Sequence, residues 1–88
     1  MPYIKKEDRE KYNNLLVTLQ NIPELPTKGD LEFLIFALMK KYMSTREQRY
    51  STLHDVVYAA QHCSDEYRRR YLDKREDAAR QQNGDVEI

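Results

Sequence analysis

One uninterrupted stretch constrains this chain more than any other feature: residues 51–80 contain neither proline nor glycine. A helix of about thirty residues is roughly 45 Å long. A compact domain of 88 residues has a radius of gyration of about 12 Å, so its diameter is near 30 Å. A helix over this stretch would be longer than the globule that contains it. We therefore expect part of it to project into solvent, to break, or to lie against another copy or a partner.

The remaining segments also have helical periodicity. An apolar stripe over about residues 6–22 predicts a first helix, formed by Tyr12, Leu15, Leu16, Leu19 and Ile22. Pro23 and Pro26 end that helix and stiffen the connection that follows. Asp30 is a favourable N-cap residue, and it predicts that a second helix starts at Leu31. The chain therefore predicts three helices and a short tail.

The boundaries of these elements follow from the same signals. The sequence predicts an all-α fold, with helices at about 6–22, 31–43 and 52–81. Residues 1–82 are expected to form one domain and residues 83–88 a C-terminal tail. Ser51 or Thr52 is expected to cap the long helix.

The second helix predicts that the protein is oligomeric. Every residue from Phe33 to Met39 is apolar. A helix that is apolar on all sides lies at the centre of a fold or is half-buried in an oligomer. The long helix has a core stripe that consists of Leu53, Val57, Ala60, Ser64, Tyr67 and Tyr71, with Val56 and Cys63 beside it. Cys63 is therefore expected to be a buried structural residue. We expect the two shorter helices to pack on its proximal half, in a homodimer or higher oligomer.

Charge and composition narrow the class of protein. Fifteen basic and fifteen acidic residues give a net charge of zero, so the chain has no global field that attracts nucleic acid or an anionic membrane. No apolar run is long enough to span a bilayer, and the first residues lack the apolar stretch of a signal peptide. A lone cysteine suits a reducing compartment. We expect a cytoplasmic protein that does not bind a membrane and for which nucleic acid is an unlikely partner.

The chain lacks the residue patterns of common catalytic and metal sites. His54 and His62 are eight residues apart, whereas metal-binding pairs on one helix are three or four residues apart. Cys63 adjoins His62 in sequence but points about 100° away around a helix, which defeats a cysteine–histidine nucleophile pair. Glycine-rich phosphate loops and zinc-protease motifs are missing from the sequence. We therefore expect no enzyme activity, no cofactor and no bound metal.

Two groups of residues are candidates for binding. The first is a stripe on the back of the long helix, and it suits a protein interface because these side chains supply area and hydrogen bonds at modest entropic cost: His54, Tyr58, His62, Asp65 and Arg69. An ordinary exposed helix face would show the same pattern. The second group surrounds the start of the long helix, where N–H groups and arginines favour an anion: Arg46, Arg49, Tyr50, Ser51 and Thr52. A routine helix cap with nearby charged loop residues explains that pattern equally well.

Four segments of the chain carry a family resemblance. The two at its ends are Met1-Pro2-Tyr3-Ile4-Lys5-Lys6-Glu7-Asp8-Arg9 and Asn83-Gly84-Asp85-Val86, and the two between them are Gly29-Asp30-Leu31-Glu32-Phe33-Leu34-Ile35 and Tyr67-Arg68-Arg69. In these segments the chain resembles a small uncharacterised protein family found in phages, prophages and their prokaryotic hosts. This resemblance implies a genomic setting, in the host cytoplasm if the protein is phage-encoded, and no site residues.

These observations give three hypotheses. The first is a non-catalytic protein that binds a host or defence protein and occludes it, using the stripe on the long helix. The second is an oligomer that sequesters an anionic ligand, such as a signalling nucleotide, at the start of the long helix. The third is a structural or assembly accessory protein, which needs only the oligomer.

Overall fold

The computed structural model describes residues 2–88 and contains three helices. Helix α1 covers residues 6–21 and includes a tighter 3₁₀ turn at Glu10–Tyr12. Helix α2 is Lys28–Met43, and helix α3 covers residues 50–83. Over the described residues there is no β-strand, so the predicted all-α fold with a long C-terminal helix is confirmed.

Helix α2 begins three residues earlier than the sequence predicted. Thr27, not Asp30, is the N-cap residue. The Thr27 hydroxyl accepts a hydrogen bond from the Asp30 N–H (3.1 Å), and the Asp30 carboxylate accepts one from the Thr27 N–H (3.0 Å). This reciprocal pair is a capping box, in which an acidic residue inside the first turn supports the cap in front of it. The aspartate was therefore a correct sign of a helix start, placed at the wrong position in the turn.

Helices α2 and α3 form an antiparallel hairpin, and it contains the core. Among residues 2–88, Val56 of α3 is the only buried hydrophobic side chain, at 7% exposure. The half-buried residues nearest to it on the two helices are Leu34, Met39, Tyr42, Met43, Thr52 and Ala60. Leu53 and Val57 are 43% and 53% exposed. The stripe predicted from the sequence was therefore wrong in its centre, because the hairpin packs on the Val56 side of α3 and leaves the Val57 side open.

Helix α1 makes no extensive packing contact with α2 or α3. The prediction that both shorter helices pack on the proximal half of the long one is therefore correct for α2 and wrong for α1. The chain continues from α1 with extended backbone at Ile22, and the two prolines at 23 and 26 make that connection stiff. The apolar residues of α1 remain between 39% and 54% exposed: Tyr12, Leu15, Leu16, Val17, Leu19 and Ile22.

The long helix has 34 residues and runs the length of the molecule, whose largest dimension is 50 Å. It contains one wider π-helical turn at Arg68–Leu72, where the Asp73 N–H bonds to the Arg68 carbonyl five residues back. Beyond this turn, Asp73–Asn83 packs on no other helix. Gly84 ends the helix with φ +90°, a conformation that side chains disfavour, and its N–H bonds to the Arg80 carbonyl (2.8 Å). The distal third is therefore a projecting arm.

Pro2 and Tyr3 lie against the middle of α3. The Arg70 guanidinium donates a hydrogen bond from Nη1 to the Tyr3 hydroxyl (3.0 Å), which joins the start of the chain to the π-helical turn. This bond raises the pKa of the Arg70 guanidinium above its ordinary value. The first residues thus cover part of α3, although α1 does not pack on it. None of the described helices combines the length and the apolar character that a bilayer span requires.

Candidate functional site

Four rings stand in one row along the proximal half of α3. Tyr50, His54, Tyr58 and His62 are each four residues apart, a spacing that places side chains on one helix face. His54 and Tyr58 are stacked, with ring centroids 4.2 Å apart. The Tyr50–His54 and Tyr58–His62 pairs are more open, with centroids 5.8 Å and 6.4 Å apart. We call this row the aromatic ladder; its one stacked pair, His54 and Tyr58, lies at its centre.

The ladder borders two shallow depressions in the surface. One depression is lined by His54, Asp55, Tyr58, Ala59, His62 and Cys63. The other is lined by Pro2, His62, Asp65, Glu66 and Arg69. His62 belongs to both, so they adjoin and form one strip along the helix. The structure therefore brings together all five residues of the first candidate group, His54, Tyr58, His62, Asp65 and Arg69.

The charged side chains of this strip are held by neighbours on the same helix. Arg69 donates from Nε to the Glu66 carboxylate (2.6 Å), which raises the pKa of the Arg69 guanidinium. Asp65 accepts a hydrogen bond from the Gln61 amide (3.0 Å) and lies 3.7 Å from Arg68. In the run Arg68-Arg69-Arg70, both Arg68 and Arg69 form ion pairs within the helix, with Asp65 and Asp73 for Arg68 and with Glu66 for Arg69. Exposed pairs of this kind add little stability, but they fix where each charge is presented.

Sequence reasoning missed one residue of the aromatic ladder, Tyr50, and one residue of the strip, Pro2. Tyr50 was assigned to the anion-binding group, although its spacing from His54 would have shown that it begins the ladder. Pro2 forms one wall of the second depression. No local signal could have revealed this, because residue 2 reaches α3 only through the fold. Asp65 and Glu66, which line the same depression as Pro2, are half-buried.

The second candidate group surrounds the start of α3, and its polar groups have partners within the chain. The Arg46 guanidinium donates to the Tyr42 carbonyl and lies 3.6 Å from the centre of the Tyr42 ring. Arg49 forms an ion pair with Glu47 (2.6 Å).

The cap of α3 also differs from the predicted one. Arg49 is the N-cap residue, and the Thr52 hydroxyl reaches back to accept a hydrogen bond from its N–H (3.0 Å). Tyr50 and Ser51 stand exposed in the first turn. An anion at this helix start would have to compete with Glu47 for Arg49. The assignment of these residues to anion binding stays a prediction.

Cys63 is exposed, and the expectation of a buried structural cysteine was wrong. The residue lines the first depression beside His62 because the α2 helix covers a different side of α3. Within residues 2–88, no three histidine, cysteine or acidic side chains lie close enough to hold a metal ion.

The fold and this strip define a small all-α protein built on a helical hairpin with an exposed aromatic face. The chain belongs to the family described as a domain of unknown function, DUF6899, whose model matches residues 1–86. This match agrees with the resemblance to an uncharacterised family. No curated protein matches the chain. No solved structure matches it either.

Proposed function

We propose that this protein is a non-catalytic interaction protein that binds another protein through the aromatic ladder and the strip beside it. The partner's surface would lie along α3 from His54 to Arg69, covering the two adjoining depressions. Binding by such a surface acts through occlusion, because the side chains contribute area and hydrogen bonds and perform no bond chemistry.

The observation that supports this proposal best is the continuity of the strip. Tyrosine, histidine and arginine are side chains that protein interfaces favour, and here they adjoin without a gap. Tyr58 is 46% exposed although it is stacked on His54. Stacking restricts the motion of this ring before a partner arrives, which lowers the entropic cost of binding.

The resemblance to phage and prophage proteins favours a host or defence protein as the partner, in the host cytoplasm. The net charge of zero agrees with a protein surface as the target, because it provides no attraction to nucleic acid or lipid headgroups. Inhibition of that partner follows if the strip covers its working surface.

The proposal predicts the behaviour of a triple variant in which His54, Tyr58 and Arg69 are all replaced by alanine. Each of these side chains is exposed, so we expect the variant to keep the helical circular dichroism of the parent protein. We expect it to lose the protein that the parent protein captures in its native cells, since truncating a hot-spot residue of an interface costs about 2 kcal/mol or more. The measurement is quantitative mass spectrometry of tagged protein and its copurified chains.

A matched control places three alanine substitutions on the projecting arm of the same helix, at Lys74, Arg75 and Gln82. These residues are exposed and lie outside both depressions. The control variant should capture the same protein as the parent. If the ladder variant captures it equally well, the strip is not the binding surface.

A further inference from the structure

The isolated chain exposes far more surface than a folded protein of its mass. A compact monomer of 10.6 kDa exposes about 5,500 Å². This chain exposes 8565 Å², an excess of about 3,100 Å² over that expectation. Its radius of gyration of 17.3 Å likewise exceeds the value of about 12 Å for a compact domain. The helices are formed, yet most of their apolar faces have no cover within the chain.

Uncovered apolar side chains lie along all three helices, and both phenylalanines of the chain are among those on α2. On α2, Phe33 and Phe36 are one turn apart and are 72% and 63% exposed, and Leu38 is 62% exposed. The apolar stripe of α1 is about half exposed along its whole length. Large aromatic side chains at such exposure are unusual for a monomer, and several of them together mark a surface that another protein covers.

We propose that a second copy of this chain covers the apolar faces of α1 and α2. A standard protein complex buries about 800 Å² on each partner, whereas permanent homodimers bury about 2,000–5,000 Å² in total and resemble a domain core cut in half. The excess of one chain exceeds the first value, and for two copies it amounts to about 6,200 Å², enough to supply a permanent interface at the upper end of the second range. The exposed side chains are phenylalanine and leucine, as in permanent interfaces.

A second copy fits this surface better than a different protein does. Val56 alone is buried within the described part of the chain, so the helices need their cover while they fold. Another copy is present wherever the chain is made, and always in the matching amount. Two copies do not repel each other, because each has a net charge of zero. In a twofold arrangement each copy offers both uncovered faces to the other.

The test compares Phe36→Ala with Tyr67→Ala in purified protein, by thermal unfolding at two protein concentrations a hundredfold apart. In an isolated chain Phe36→Ala would leave the Tm unchanged or raise it, since alanine is the better helix former and the ring is exposed. With a second copy over this face, it should lower the Tm by about 10 °C or more. Tyr67→Ala, at a 69% exposed position on α3 outside the aromatic ladder and both depressions, is the control and should leave the Tm unchanged.

The outcomes decide between the occupants. A parent protein whose Tm rises with protein concentration, and a Phe36→Ala variant of lower Tm, support the second copy. Coexpression of two differently tagged chains gives an independent readout, and their copurification supports it too. A cooperative Tm that is independent of concentration and unchanged in Phe36→Ala overturns the proposal. A purified chain that becomes helical only when another protein is added overturns it as well. No variant in this test changes a residue of the aromatic ladder. The proposed function can therefore fail while the second copy is supported, and the reverse.

Discussion

Val56→Asp is expected to unfold the hairpin of α2 and α3. The side chain is 7% exposed and lies at the centre of the only buried contact in residues 2–88. A carboxylate there would lose its water and find no positive partner, at a cost of several kcal/mol. Small domains are stable by only about 5–15 kcal/mol. The far-UV circular dichroism of the variant should therefore show loss of most of the helical signal at 25 °C.

Val57→Asp is the matched control, because it places the same charge on the next residue of the same helix. Val57 is 53% exposed, so its carboxylate would remain partly hydrated. We expect this variant to keep most of its helical signal at 25 °C. The largest effect we expect is a Tm lower than that of the parent protein. The reverse order, with Val57→Asp unfolded and Val56→Asp folded, would mean that α2 packs on the face that the sequence stripe indicated.

A second pair of variants separates the two parts of α3. Proline inside a helix removes one hydrogen bond and clashes with the preceding turn, at about 3 kcal/mol or more. Ala59→Pro breaks the helix within the hairpin, so we expect the whole fold to be lost. Ala78→Pro breaks the projecting arm, which packs on no other helix. This variant should lose only the helical signal of Asp73–Asn83, which has 11 residues, and keep the Tm of the hairpin.

Circular dichroism at 222 nm during thermal unfolding measures both quantities together. The two substitutions have the same chemistry, so any difference between them comes from position alone. If Ala78→Pro lowers the Tm as much as Ala59→Pro, the arm belongs to the cooperative unit and another chain must hold it in place.

The three helices were predictable because their signals are local. Apolar spacing indicated α1 and α2, and Pro23 ended α1 where the chain turns. The absence of proline and glycine from residues 51–80 indicated a long helix, and Gly84 ends it. The caps were less accurate, because Thr52 and Asp30 support the first turn from inside it, a role that composition does not distinguish from the N-cap itself.

The packing was not predictable from the same signals. A stripe through Val57 and one through Val56 differ by about 100° on the helix, and both contain apolar residues. Which one faces α2 depends on the loop at residues 44–49 that joins the two helices. The exposed state of Cys63 follows from the same choice of face.

The candidate site shows the same division. The spacing of His54, Tyr58 and His62 was sufficient to group them, since side chains four residues apart share a helix face. The contribution of Pro2 depends on the path of the first residues across α3, where Tyr3 meets Arg70. That contact spans 67 positions in the sequence, and no local pattern could have indicated it.

The two parts of the long helix have different roles in the fold. Its proximal half supports the hairpin and the aromatic ladder, and its distal third is a charged arm. The sequence run from Phe33 to Met39 was expected to be buried, yet Phe33 and Phe36 are exposed in the single chain. The proposed second copy over α1 and α2 would resolve this difference between sequence and structure, since it would bury the same residues between chains.

The mass of the purified protein in solution tests this account most directly. Sedimentation equilibrium at micromolar concentration gives that mass without any assumption about shape. We expect the mass of an integral number of 10.6 kDa chains, two in the simplest arrangement. This mass should stay constant when the protein concentration is varied within the micromolar range. A folded, helical protein that sediments as a single 10.6 kDa chain would contradict the account.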